Sequence, residues 1–165
     1  SYLSILTPTH ELAVQDLRCI ERLSENSDNH LTSTAIIGNV NIDRQIKKLK
    51  TKPNIIVGSP GRILELIKKR KITAHTVKTI VIDEVDRLLD KNNRDEVLAI
   101  VKSTLRERQV MCFSATVGRD IMDIIKMVTK DPEVVTCDED ISVPSCIEHR
   151  YFEVEALIFL FAYLY

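Results

Sequence analysis

The length, composition and charge of the chain limit the functions it can have. It has 165 residues, of which 44% are apolar and 28% charged. These values predict one folded, soluble domain with a real core and exclude a disordered chain. The formal net charge of −1 gives no support for general binding to nucleic acid, so any basic binding surface must be local.

Short β-branched segments alternate with helical patterns along the chain, which predicts an α/β fold with a parallel sheet covered by helices. Most of these segments are apolar at consecutive positions, as expected for strands buried on both faces. The predicted strands are residues 2–6, 34–37, 54–57, 79–82, 110–113 and 133–136.

Helical patterns fill the gaps between the strands. Ser59 followed by Pro60 is typical of a helix N-cap and first helical position. Residues 9–25 carry apolar side chains at helical spacing, namely Ala13, Leu17, Ile20 and Leu23. Further helices are predicted at residues 41–49, 59–69, 83–89, 94–105 and 119–127.

The cysteine and histidine residues predict no metal site. The histidines are scattered, and no pair of the cysteines (Cys19, Cys112, Cys137 and Cys146) has metal-ligand or redox spacing. We expect reduced thiols and a cytoplasmic protein. The longest apolar run, residues 156–165, is about half of the ~20 residues that a membrane span needs, so we expect no membrane partner.

Two carboxylates, Asp83 and Glu84, follow the apolar strand at residues 79–82. Ligands of open α/β sheets bind beyond the carboxyl ends of the strands. Asp83 is expected to hold Mg²⁺ through water, because Mg²⁺ keeps several of its waters, and Glu84 to orient and deprotonate an attacking water. An isolated acid pair would equally begin a solvated helix, but a third carboxylate follows at Asp86.

Five motifs occur in order over nearly the whole chain, at residues 8–13, 38–39, 59–63, 83–86 and 114–116. Together they resemble the signature motifs of the DEAD-box RNA helicases. The resemblance implies a three-layer RecA-like fold of the P-loop NTPase type with a mainly parallel sheet. It also implies an ATP-dependent RNA helicase that uses ATP and Mg²⁺.

The resemblance assigns roles to individual residues. Asp83 and Glu84 would act in ATP hydrolysis, and a bond between Asp86 and the hydroxyls of Ser114 and Thr116 would couple nucleotide state to strand position. Sequence-independent contact with the RNA phosphate backbone is implied for Pro8, Thr9, His10, Glu11, Gly38, Asn39, Ser59, Pro60, Gly61 and Arg62.

The residue types support these roles physically, and each also has an ordinary structural explanation. Helices that begin near Thr9 and Ser59 offer N–H groups to a phosphate, and Gly38 and Gly61 allow close approach of a ligand or a positive φ. Taken singly, the hydroxyls would cap helices, the glycines would form turns, and Arg62 would lie on a solvated face.

Four positions depart from the family pattern. Val85 replaces Ala and Ser59 replaces Thr. His10 replaces an Arg that would be a fixed, bidentate cation, and Asn39 replaces a second Gly, although Asn tolerates the left-handed region well. The changes at His10 and Asn39 bear on RNA affinity rather than on the fold.

None of the four glycines is followed by Lys, as a phosphate-binding loop requires. In the family that loop precedes the first strand, and a second motor domain with arginine fingers follows. The resemblance therefore implies a partial N-terminal RecA-like domain at residues 1–145. Residues 146–165 would be the last strand or linker and the start of the second domain. We expect this chain alone to be inactive.

Three classes of function compete. The first is an RNA helicase, with RNA and the second helicase domain in cis as partners. The second is a non-catalytic RNA-binding or scaffold protein on a degenerate helicase domain, which His10 and Asn39 favour. The third is another ATPase, such as a DNA helicase or transporter motor, which leaves residues 8–13 and 59–62 unexplained. Exposed apolar residues at 156–165 predict self-association.

Overall fold

A computed structural model describes residues 3–26, 30–90, 93–115 and 118–135. Residues up to 132 form one unit, and residues 133–135 belong to a second. The elements of the first unit, in chain order, are β1 (Leu3–Leu6), α1 (His10–Glu25), β2 (Ser33–Ile36), α2 (Ile42–Leu49), β3 (Ile55–Gly58), α3 (Pro60–Lys68), β4 (Thr79–Ile82), α4 (Val85–Leu88), α5 (Arg94–Ser103), β5 (Gln109–Cys112) and α6 (Arg119–Val128).

The five strands form one parallel sheet in the order β2-β3-β1-β4-β5. Leu6 at the end of β1 lies in register with Gly58 of β3 and Ile82 of β4, and Ile82 lies in register with Cys112 of β5. All strands therefore end at one edge of the sheet, which we call the carboxyl edge. The residues that follow each strand are brought together there.

The predicted α/β fold and five of the predicted strands are confirmed. The strand predicted at residues 133–136 is wrong for residues 133–135, which lie in no regular element; position 136 is outside the described residues. Val134 and Val135 are 53% and 83% exposed. These apolar, β-branched residues therefore neither pair with another strand nor pack into the core. The predictions for residues 138–165 also lie outside the described part of the chain.

Burial on both faces holds for β3, whose four residues are all buried, but the prediction was wrong for the other strands. In β1, β2 and β4 buried residues alternate with half-buried ones, and in β5 no residue is fully buried. The cause is unequal cover. On one face α1 packs through Ala13 against Ile55 and Val57, and this cluster is small.

The main core lies on the other face, where α2, α3, α5 and α6 contribute apolar side chains. Burying each large side chain of this core contributes roughly 1.5–3 kcal/mol. Its fully buried members include Leu6, Ile36, Ile63, Leu66, Ile80, Ile82, Val85, Leu88 and Val97. This packing holds one face of the sheet in place. The residues at the carboxyl edge belong to loops and to the first turns of helices.

The helix beginnings agree with their sequence signals, whereas one apolar position does not. Thr9 is the N-cap of α1 and its Oγ1 accepts a hydrogen bond from the Leu12 amide at 3.2 Å. Leu23, predicted on the apolar face of α1, is 68% exposed. Ten residues separate it from buried Ala13, and at 3.6 residues per turn this places it well off the buried stripe.

Candidate active site at the carboxyl edge

The turn after β4 carries the two predicted catalytic carboxylates. The Asp83 amide donates to the Leu6 carbonyl at 3.0 Å, and Asp83 Oδ1 accepts from the Glu84 amide at 2.9 Å. Glu84 has φ 46° and ψ 56°, a left-handed conformation that costs a non-glycine residue on the order of 1 kcal/mol. The strained turn ends the strand abruptly and keeps both carboxylates at the carboxyl edge.

Glu84 forms an ion pair with Arg87. Its Oε2 lies 3.1 Å from Nη1 of Arg87, one turn further along the chain. The two side chains are 37% and 66% exposed, respectively, so the pair contributes at most about 1 kcal/mol. Such a weak, solvated pair orients Glu84 without burying it.

The turn after β4 is hydrogen-bonded to the end of β5. The Phe113 amide donates to the Ile82 carbonyl at 2.9 Å, and the Val85 amide donates to the Phe113 carbonyl at 3.0 Å. Asp86 and Ser114 therefore follow adjacent strand ends at the same edge, as predicted. Thr116 lies outside the described residues, and the bond between Asp86 and the hydroxyls stays a prediction.

Asp16 on α1 is a further carboxylate near Asp83 and Glu84, and the sequence motifs did not indicate it. Its Oδ2 is buried and has no hydrogen-bond partner among the described residues. Burial, and secondly the negative charges of Asp83 and Glu84, raise the pKa of Asp16. The signal was present in the sequence, because Asp16 lies three residues after Ala13, on the helix face that packs on the sheet.

The carboxylates fit a magnesium ion that keeps most of its waters. Within the described residues no three His, Cys, Asp or Glu side chains are grouped so as to hold a metal, which excludes a cage of protein ligands there. A single aspartate such as Asp83 suffices for a largely hydrated Mg²⁺. Among the described residues Cys19 and Cys112 are free thiols, and burial raises the pKa of Cys112 to about 11.

Residues 37–41 connect β2 to α2, and we call them the 37–41 loop. His10, the first residue of α1, packs on this loop: a β-carbon added at Gly38 would lie 3.2 Å from His10 Nε2. Asn39 has φ 53°, so it is this residue and neither predicted glycine that takes the left-handed conformation. The missing β-carbon of Gly38 makes room for a side chain of the protein itself.

Arg62 joins α3 to the same loop. Its Nη1 donates to the Val40 carbonyl at 2.9 Å, and its Nε pairs with Glu65 at 3.1 Å. The Arg62 side chain is 16% exposed, so the interpretation as a solvated helix face was wrong. These contacts give Arg62 a part in holding the 37–41 loop.

The beginning of α3 differs from that of α1. Ser59 is the N-cap, as predicted, but its side chain makes no capping hydrogen bond, and its amide donates to the Ile36 carbonyl at 3.1 Å. A β-carbon at Gly61 would lie 3.1 Å from both carboxylate oxygens of Glu96. Gly61 therefore permits the close packing of α5 on α3.

The order of the strands divides the carboxyl edge into two parts. The predicted RNA-binding residues follow β1, β2 and β3, whereas the predicted catalytic and coupling residues follow β4 and β5. β1 and β4 are neighbours, so the two parts meet in the middle of the sheet. A ligand on one part and a ligand on the other would contact the same rigid sheet.

The chain is similar to known proteins of one family. A model of the DEAD/DEAH box helicase family matches residues 2–124. The chain is 38% identical to the DEAD-box ATP-dependent RNA helicase CshC of Bacillus cereus, over 92% of this chain and 38% of that protein. It is 36% identical to the RNA helicase CrhR of Synechocystis, over 91% of this chain and 30% of that protein.

A solved structure agrees with the fold. The crystal structure of a DEAD box protein from Methanococcus jannaschii matches 79% of this chain and 35% of that chain with a TM-score of 0.73 and 36% identity. The chain thus spans less than half the length of the relatives it matches. No helix among the described residues is both long and apolar enough to cross a membrane.

Proposed function

Since this chain belongs to the DEAD/DEAH box helicase family, we propose that the protein from which it comes is an ATP-dependent RNA helicase. The observation that carries the proposal is the junction of β4 and β5, where Asp83, Glu84 and Asp86 follow one strand and Ser114 follows its neighbour. We propose residues 1–145 as part of the first motor domain and residues 146–165 as the start of the second, which acts in cis.

In this proposal Asp83 and Glu84 divide the work of ATP hydrolysis. Asp83 would hold Mg²⁺ through water, and the ion would supply positive charge that stabilises the phosphates. Glu84 accepts a proton from the attacking water and orients it. Because its pair with Arg87 is weak and exposed, Glu84 can exchange Arg87 for a water molecule at little cost.

The hydrogen bond between Val85 and Phe113 supports a coupling role for the neighbouring residues. A shift of the turn at residues 83–84 would move the end of β5, because the Val85 amide is hydrogen-bonded to the Phe113 carbonyl. Asp86 and Ser114 extend that connection through their side chains. Nucleotide state would thereby change the position of the strand ends next to bound RNA.

RNA is proposed to bind where α1, the 37–41 loop and α3 begin. Helix N-termini and backbone amides contact phosphate oxygens and read no base edges, which suits a sequence-independent helicase. The side chain of Ser59 makes no capping bond, so amides in the first turn of α3 remain for a phosphate. The proposed surface also includes Pro8, Thr9, His10, Glu11, Gly38, Asn39, Pro60, Gly61 and Arg62.

ATP hydrolysis by the full-length protein, with and without RNA, tests the proposal. Glu84→Gln keeps the shape of the side chain and removes the base, so the rate should fall by about 10²–10⁴-fold. Glu21→Gln, an exposed position of α1, is the matched control and should keep the wild-type rate. Equal rates for the two variants would contradict the assignment of Glu84.

A second candidate function is a non-catalytic RNA-binding scaffold, which the replacement of the family's Arg by His10 favours. It predicts RNA binding by the full-length wild-type protein with ATP turnover at background.

For this chain alone we propose no measurable hydrolysis, because none of its glycines is followed by Lys in a phosphate-binding loop. Turnover by the isolated chain that Glu84→Gln abolishes would contradict that statement.

A further inference from the structure

Gln45 is a buried polar residue on α2 whose side-chain amide donates hydrogen bonds to the 37–41 loop. It is 3% exposed. Its Nε2 donates to the Ile37 carbonyl at 2.9 Å and to the Val40 carbonyl at 3.3 Å. These two carbonyls lie on either side of Gly38 and Asn39, so one amide group spans the part of the loop proposed to contact RNA.

Gln45 is a polar side chain on the buried side of its helix, and burying it there costs free energy unless its amide is hydrogen-bonded. Ile42, Ile46 and Leu49 of α2 pack against the main core, and Gln45 lies on the same side of the helix. Burying an amide costs free energy unless it is hydrogen-bonded, and Gln45 Oε1 is buried without a partner among the described residues. An apolar side chain would serve the core better, whereas only a donor can hold the two carbonyls.

The backbone of the loop needs holding because Asn39 is left-handed, with φ 53°. Three helices supply the contacts. Gln45 of α2 and Arg62 of α3 both donate to the Val40 carbonyl, at 3.3 and 2.9 Å, and His10 of α1 packs on Gly38. Gln45 is the member of this set that is fully buried, so its contribution does not depend on solvent screening.

We propose that Gln45 is a positioning residue for RNA binding. It fixes the backbone of residues 37–40 in the conformation that meets a phosphate, so binding pays little to order the loop. The inference rests on the proposed RNA-binding function and deepens it, since Gln45 acts through the loop and touches no RNA. Without the amide donor, the loop must be ordered by the RNA itself, and affinity falls.

The test compares Gln45→Met with wild type in the full-length protein. Met has nearly the same shape, keeps the apolar contacts of α2 and removes the donor, so the fold should be retained. The dissociation constant for a labelled, single-stranded oligouridylate should rise about tenfold. The slope of log affinity against log salt should stay at its wild-type value, because Gln45→Met removes no Lys or Arg contact with a phosphate. A shallower slope would assign the loss to a displaced cation and would overturn the inference.

A second variant gives an independent readout. Gln45→Glu places a carboxylate against two carbonyls at neutral pH, and protonation at lower pH restores an O–H donor. Its RNA affinity relative to wild type should therefore recover as pH falls. Gln109→Glu is the matched control and makes the same change of charge. Gln109 is exposed at the beginning of β5, at the end of the strand away from the carboxyl edge.

The outcomes distinguish a failure of the proposed RNA-binding function from a failure of the role proposed for Gln45. Wild-type protein that binds no RNA would overturn the proposed function and this inference with it. Wild-type binding together with an unchanged affinity in Gln45→Met would overturn this inference alone. Parallel pH profiles for Gln45→Glu and Gln109→Glu would do the same.

Discussion

The Val85 amide donates a hydrogen bond to the Phe113 carbonyl at 3.0 Å. This bond joins the turn that carries Asp83 and Glu84 to the end of the neighbouring strand. Backbone groups make it, so it depends on the register of β4 and β5 rather than on any one side chain. The junction of the proposed hydrolysis and coupling residues is therefore a property of the sheet itself.

Gly58→Ala should destabilise the domain strongly. A β-carbon at Gly58 would lie 1.8 Å from the Ile36 carbonyl oxygen, and a buried backbone atom cannot move aside as a side chain can. We expect a loss of about 3 kcal/mol or more in the free energy of unfolding, at or above the upper end of ordinary overpacking. Urea denaturation followed by circular dichroism measures it.

Gly118→Ala is the control for this prediction. Among the described residues, no atom lies within 4 Å of a β-carbon at Gly118, which is the N-cap of α6. The change should cost no more than about 1 kcal/mol through the weaker capping preference of Ala. Similar losses for the two variants would show that the close approach at Gly58 is not what requires glycine there.

Thr9→Ala should cost about 1 kcal/mol, because it removes the hydroxyl that accepts from the Leu12 amide and leaves that donor unpaired. Ser59→Ala is a matched change at the N-cap of α3, where no capping bond exists to be lost. Its cost should be a few tenths of a kcal/mol. Thermal unfolding of both variants decides the order, and a larger loss for Ser59→Ala would contradict the capping geometry.

Asp16→Asn should raise the stability of the nucleotide-free protein at pH 7. A raised carboxyl pKa in the folded state means that folding opposes ionisation of Asp16, chiefly through burial. The penalty is absent below the unfolded pKa of about 3.9 and develops fully as pH rises through the folded pKa. The advantage of Asp16→Asn should therefore shrink as pH is lowered toward 4.

Unfolding midpoints measured in EDTA across this pH range test the prediction. Asp43→Asn is the comparison, because Asp43 is exposed in the first turn of α2, where an acid favours the helix dipole. It should give no gain at pH 7. An advantage of Asp16→Asn that persists unchanged at low pH would show that the carboxyl charge of Asp16 is not the cause.

The sequence predicted elements whose signals are local and missed contacts made between elements. Residues 79–82 were predicted as a strand and form one, because an apolar run is bounded there by charged residues. The left-handed φ of Glu84 could not be predicted, since Glu disfavours that conformation and no local sequence pattern specifies it there. The bonds from Gln45 and Arg62 to the 37–41 loop depend on how α2 and α3 pack, which no local pattern specifies.

The site residues divide along the same line. Asp83, Glu84, Asp86 and Ser114 were placed together correctly because parallel strands end at one edge. Asp16 could have been found, as an acid on the face of α1 that packs against the sheet, but a motif search looks for acids after strands. The strand at residues 133–136 was predicted from composition alone, and apolar β-branched residues do not specify a partner strand.

His10→Arg should tighten RNA binding by the full-length protein. The imidazole lies against Gly38, at the beginning of α1 and beside the 37–41 loop, where a guanidinium would bring a permanent charge and a bidentate donor to a phosphate. The salt slope should steepen by roughly 0.7, the value for one added contact on a single strand. His75→Arg, at an exposed position outside the carboxyl edge, adds the same charge as a control. Equal effects of the two variants would show that only net charge matters and that His10 does not face the RNA.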